Sequence, residues 1–233
     1  MASHSGTYLA AAPDGSLLLS SVPSGSMWYG CGCRSIVIVM SLTDWASQVA
    51  RDKLESLPSR WAHVQGVARQ ARTLRAIAGK DADLLEAAAI LHDVGYAPDL
   101  AVTGFHPVDG ALHLAEIGAP ERLVNLVAHH SYALLEAELR GLSGEMTRFH
   151  DEQGPIRDAL WFCDQTTSPF GEVVLHGERI AEIQERYGPG HLVTRFITDA
   201  APELCAAVKR TERRLAMVAP SQPRSGVGRS SRP

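Results

Sequence analysis

The stretch Glu86 to Pro98, EAAAILHDVGYAP, narrows the possible folds more than any other. Its alanines, leucine and isoleucine favour a helix that is apolar on every side, and such a helix belongs in a core. The helix ends in an imidazole and a carboxylate side by side, His92 and Asp93, followed by Gly95 and Pro98. Buried polar and ionised groups need partners, because leaving them unpaired is costly. The pair therefore reads as the centre of a metal site on which other segments converge.

The segments around it are helical. A first helix is expected from Thr43 to Leu57, with Thr43 or Asp44 as its N-cap and Pro58 as its stop. A second runs from Pro58 to about Ala78, closed by Gly79, with His63, Val67, Ala71 and Leu74 on its inward stripe. The third, Asp81 to His92, carries the doublet. A loop with His106 follows, then a helix from Pro107 to Ile117 and another opened by Pro120 with His130 on its apolar stripe. Ala133 to Arg140 is helical by propensity, and Gly144 to Gly154 is polar and reads as a loop or frayed turn. Pro155 starts a helix that places Ile156, Leu160 and Asp164 on one face. Glu172 to Leu175 could be a short strand without an obvious partner. Three more helices are expected, Glu178 to Tyr187, His191 to Ala200, and Pro202 to Val218. No repeat and no strand alternation is visible, so the fold class is all-α, a compact helical bundle with flexible termini.

Three regions follow. Residues 1–39 are rich in Ser, Gly and Ala and show no sustained period; they read as a misassigned upstream extension, with Met40 the true start, or as a disordered tail. Residues 40–218 form the helical domain, with the site within about 59–167. Residues 219–233 carry the Pro, Ser, Gly and Arg composition of a disordered tail. A hydrophobic content of 45% with 21% charged residues supports an ordinary core. A net charge of -4 argues against an extended nucleic-acid-binding face, though a basic pocket for one phosphate is compatible with it. Cys31 and Cys33 are too close to bridge usefully, while Cys163 and Cys205 lie in apolar helical patterns and read as buried thiols. The longest apolar run, Ile36 to Met40, is too short for a membrane span. A cytoplasmic location is the expectation, and the last helix could serve a homodimer contact.

His63, His92, Asp93, His130 and Asp164 all fall on or beside inward stripes, from four separate helices. Neutral imidazoles and ionised carboxylates are what divalent cations prefer, and helix bundles build metal sites from such inward side chains. His106 and His129 are close enough in the pattern to complete a second metal position. Each piece is weak alone: a lone histidine on an apolar stripe is more often a satisfied core residue, His129-His130 could be helix surface, and Asp164 could pair with Arg157. The ordered set carries the weight.

That set resembles the HD-domain superfamily of metal-dependent phosphohydrolases. The pattern H…HD…D is met by His63, His92-Asp93 and Asp164, within RWAHVQGVARQA, AAILHDVGY and DALWFCDQTT, with FHPVDGA and LVAHHS between them. The resemblance implies that His63, His92, Asp93 and Asp164 hold one metal and that His106, with His130 or His129, holds a second. The chain departs from several branches. No GYP follows His129-His130, which disfavours the cyclic dinucleotide phosphodiesterases. Ser59 stands where a third metal would need a carboxylate, and the chain is too short for the alarmone hydrolases. What remains is the group of small stand-alone bacterial HD proteins, somewhat similar to the diadenosine tetraphosphate hydrolases.

Under this resemblance the activity expected is hydrolysis of a phosphate ester or nucleotide by a metal-activated water, with Asp93 the bridging ligand and His106, His129 or His130 a proton donor to the leaving oxygen. The cofactor is one or two divalent ions, Fe, Mn or Mg, with Fe or Mn favoured by the number of imidazoles. Arg140 and Arg157 are candidate phosphate clamps, although each also reads as a surface arginine. Two rivals use the same fold: a di-iron oxygenase with this ligand list, and a non-catalytic signalling module, which usually lacks ligands that this chain retains.

Overall fold

α4 (Ala82–Leu91) is the element around which the others pack. Leu85, Ala87, Ala88, Ala89 and Leu91 are fully buried, and even Glu86 is 8% exposed. The alanines let neighbouring helices approach closely, and α1 (Leu42–Leu54), α2 (Pro58–Thr73), α6 (Glu121–Ala128) and α9 (Pro155–Gln165) all pack against it. The computed structural model describes residues 7–11, 17–21 and 38–218. The remaining helices are α3 (Arg75–Ala78), α5 (His106–Glu116), α7 (Ala133–Arg140), α8 (Ser143–Met146), α10 (His176–Tyr187) and α11 (Leu192–Val218). From Ser41 to Val218 the domain is all-α apart from one isolated bridge between Thr167 and Val173. Among the described residues, no helix is long and apolar enough to cross a membrane.

Most expected elements are present, with instructive differences. β1 (Thr7–Ala11), β2 (Leu17–Ser21) and β3 (Ile38–Met40) pair antiparallel in the order β1-β2-β3. No strand was expected there, because stretches of three to five residues carry too little alternation to register. The rest of residues 1–39, with Cys31 and Cys33, and the expected tail at 219–233 lie outside the described residues. Ser41, not Thr43 or Asp44, caps α1: its hydroxyl accepts the Asp44 N–H at 3.1 Å. The expected break at Pro202 does not occur. α11 runs through it, because proline removes one hydrogen bond while Phe196, Ile197, Ala200, Leu204, Ala207 and Val208 are buried on both sides of it. Cys163 is buried, but Cys205 is only half-buried.

Two close approaches of backbone to backbone lock the segments that carry the site. Gly95 lies against the first turns of α5, where an added Cβ would stand 2.0 Å from the His106 carbonyl oxygen and 2.5 Å from the Gly110 nitrogen. Gly66 of α2 meets Gly171, with an added Cβ 2.4 Å from its Cα. The first contact ties the turn after Asp93 to the helix that begins with His106. The second ties the helix of His63 to the loop after Asp164.

α11 is fastened to α9 by a buried carboxylate. Asp158 is 3% exposed and accepts from Arg210 at 2.8 and 2.9 Å and from Arg214 at 2.9 Å. Burial pushes its pKa up, and the hydrogen bonds from Arg210 and Arg214 outweigh that, leaving it below the ordinary aspartate value. Gly95→Ala is expected to lower stability by about 1–3 kcal/mol through overpacking, read as an earlier denaturant midpoint. Asp158→Asn should cost about 1–3 kcal/mol at neutral pH. Because the folded pKa is depressed, that contribution is full above the unfolded aspartate pKa and is lost as pH falls. The gap between wild type and Asp158→Asn in thermal melts should therefore shrink between about pH 5 and pH 3.

Candidate metal centre

Four histidine rings meet at Asp93, and three of them are aimed by the same device. His63 on α2 places Nδ1 3.0 Å from the Ser168 carbonyl oxygen. His92, at the C-terminal end of α4, places Nδ1 2.9 Å from the Ala89 carbonyl oxygen, and His130, just past α6, places Nδ1 2.6 Å from that of Val127. A carbonyl can only accept, so each ring carries its proton on Nδ1 and presents a bare Nε2 to the centre. The fourth ring, His106, opens α5 instead of sitting in the loop before it; it stacks on Tyr96 with centroids 4.0 Å apart.

The Nε2 atoms of His92, His106 and His130 lie 3.6, 3.4 and 3.8 Å from Asp93 Oδ1, and that of His63 lies 4.0 Å from Oδ2. Asp164 Oδ1 is 3.0 Å from His63 Nε2 and 3.8 Å from His92 Nε2. Two ligands each about 2.1 Å from one cation stand roughly 3–4 Å apart, so these spacings suit coordination. Two groups could hold an ion, His63 with His92 and Asp93, and Asp93 with His106 and His130. Asp93 is common to both.

The electrostatics agree with this use. Burial pushes His92 and His106 down to about 4 against the pull of Asp93, so both are neutral at physiological pH. Burial would raise Asp93, but His92, Arg60 and His106 outweigh it and hold the carboxyl well below its ordinary value. Asp164 is likewise held well below the ordinary carboxyl value against burial, with His63, His92 and Arg179 around it. His92 Nε2 is the most telling atom: it is buried and has no hydrogen-bond partner among the described residues. A lone pair buried without a donor is costly, and a divalent cation is the partner that fits it.

The His129-His130 pair separates. α6 stops at Ala128, and Ser131 and Tyr132 then turn left-handed, with φ of 45° and 61°. This turn sends His130 inward and leaves His129 with Nε2 3.0 Å from the Phe149 carbonyl oxygen. His129, expected as a metal ligand and proton donor, lies outside both groups of candidate ligand atoms. Such a conformation is strained in non-glycine residues, and it is held here because the Ser131 hydroxyl donates to Asp164 Oδ2. Gln165 Nε2 bonds both Ser131 Oγ at 3.2 Å and Asp164 Oδ2 at 3.3 Å.

Arg60 is the main residue that motif reading passed over. It lies one turn before His63 on α2, donates to Asp93 Oδ2 at 2.9 Å, and sits 3.7 Å above the Tyr96 ring. Its three-residue spacing from His63 is a signal that the sequence contained. The two arginines considered as phosphate clamps, each read more readily as a surface arginine, are engaged elsewhere. Arg140 bonds Glu136, and Arg157 bonds Asp151 instead of Asp164. The cleft above the cluster is lined by Arg60, Tyr96, Glu136 and Gln165 on one side and by residues of α10 and α11 on the other.

Residues 60–160 match the family model of the HD domain. No curated protein and no solved structure matches the chain. The matched segment supplies His63, His92, Asp93, His106 and His130, and Asp164 follows four residues beyond its end. With the ordered histidines and the doublet converging as described, residues 60–160 are similar to the HD domain family.

Proposed function

We propose that this protein is a metal-dependent phosphohydrolase that cleaves a phosphate ester in the cleft above Asp93. The observation that carries this reading is the sharing of Asp93 between two groups of ligand atoms, each within 4.8 Å of one another. His63, His92, Asp93 and Asp164 would hold one cation, and Asp93, His106 and His130 a second. A divalent cation supplies Lewis acidity toward a phosphoryl oxygen and brings the pKa of water toward neutrality.

The side chains of the chain do the positioning. Asp93 orients whatever binds between the two histidine pairs, and Ser131 and Gln165 hold Asp164 in place beside His63. Arg60 offsets negative charge at the floor of the cleft while remaining bonded to Asp93. Tyr96 keeps its proton at neutral pH, because burial and the nearby Asp93 raise its pKa, so it offers the cleft a neutral donor. With His106 and His130 committed as ligands and His129 turned away, Tyr96 takes the place of histidine as the candidate donor to the leaving oxygen. Four imidazoles beside two carboxylates favour Fe or Mn over Mg. The same imidazole-rich sphere supports a second reading, a di-iron oxygenase. The arginine above Asp93 favours the phosphate chemistry.

The discriminating experiment measures phosphate release from phosphomonoesters and nucleotides beside oxygen uptake, using protein loaded with Mn or Fe. Metal-dependent phosphate release without oxygen uptake is expected. Asp93→Ala or His92→Ala should lower it by about 100-fold or more while the helical circular dichroism is retained. Metal-dependent oxygen uptake without phosphate release would establish the oxygenase instead, and loss of the fold in both variants would show the cluster to be structural.

A further inference from the structure

α10 and the first turns of α11 lie beyond the segment that matches the HD domain, yet they close one side of the cleft. Arg179 is the charged residue that they bury there. Its side chain is 6% exposed, against 35% for Arg186 two turns on. Arg179 Nη1 donates to Glu182, which also pairs with Arg186, but the Arg179 Nε–H is buried and has no acceptor among the described residues. Gln165 lines the same cleft, and its Oε1 is buried without a donor. A buried guanidinium N–H left without an acceptor is unfavourable, and a site keeps it when a ligand supplies the missing atom.

We infer that Arg179 is a specificity-determining residue that binds a terminal phosphoryl oxygen, making this a site for phosphomonoesters with an apolar group near the ester oxygen. This rests on the phosphohydrolase reading above. A phosphoryl group shared between two cation positions presents two of its oxygens to them. A monoester has a third terminal oxygen for Arg179, and a diester does not. A monoester in its singly protonated form also carries a P–OH that Gln165 Oε1 can accept. Beyond the anion the wall changes character. Ile183 of α10 and Val193, Phe196 and Ile197 of α11 give it an apolar stretch, beside Arg186 and Tyr187.

Calorimetric binding of phosphonates, in which a P–C bond stands in place of the ester P–O bond, to the metal-loaded protein tests this. Phenylphosphonate, with three terminal oxygens and an apolar ring, should bind about tenfold or more tighter than ethyl phenylphosphonate, which has lost one of them, and tighter than methylphosphonate. Arg179→Gln should weaken phenylphosphonate about tenfold or more with metal content unchanged, and Arg179→Lys should restore part of the loss. Glu182→Gln breaks the same ion pair but keeps the guanidinium, so it should not weaken binding. Wild-type affinity in Arg179→Gln, or an equal loss in Glu182→Gln, would overturn the proposal. The two readings fail separately. Absence of phosphate release with these binding differences intact removes the hydrolase and leaves the anion subsite. Phosphate release with wild-type binding in Arg179→Gln removes the subsite alone.

Discussion

The structure depends on one buried carboxylate. Asp93 is 3% exposed and stands within 4.0 Å of four imidazole nitrogens, with a single arginine bonded to its outer oxygen. An ionised group in such a place is tolerated only when its surroundings compensate it from several directions. The compensating groups come from α2, α4, α5 and the turn after α6, so the helices that build the core are also those that meet at this carboxylate. Packing and site are therefore one constraint.

Precision comes from the backbone. Three ring orientations are set by carbonyl oxygens three residues back or across a loop, and the segments bearing them are pinned where Gly95 meets Gly110 and Gly66 meets Gly171. Helix ends are useful here because their carbonyls lack intrahelical partners: His92 and His130 use carbonyls of the last turns of α4 and α6 to fix their tautomers. The left-handed pair Ser131 and Tyr132 is a strained link, and the Ser131 hydroxyl bond to Asp164 joins the strain to the cluster itself.

Much of this was legible in the residues. The stripe His63, Val67, Ala71, Leu74 is buried as its spacing required, and the alanine-rich helix before His92 occupies the centre. Periodicity could not separate His129 from His130, because a helical stripe presumes that the helix continues, and no local signal marks a left-handed turn at serine and tyrosine. Arg60 was readable from its spacing to His63 but was masked by the attention a histidine motif draws. Arg179 was not readable at all: an arginine on a polar-looking helix becomes a buried cation only through the packing of α10 on α11. Pro202 shows the converse, a strong local stop signal overridden by burial on both sides of it.

The central claim is that Asp93 is shared by two cation positions. Diffraction from crystals grown with Mn²⁺, measured at the manganese edge, tests it directly. Two anomalous peaks are expected on either side of the Asp93 carboxylate, one beside His63 and His92 and one beside His106 and His130. A single peak, or none at saturating Mn²⁺, would contradict the account.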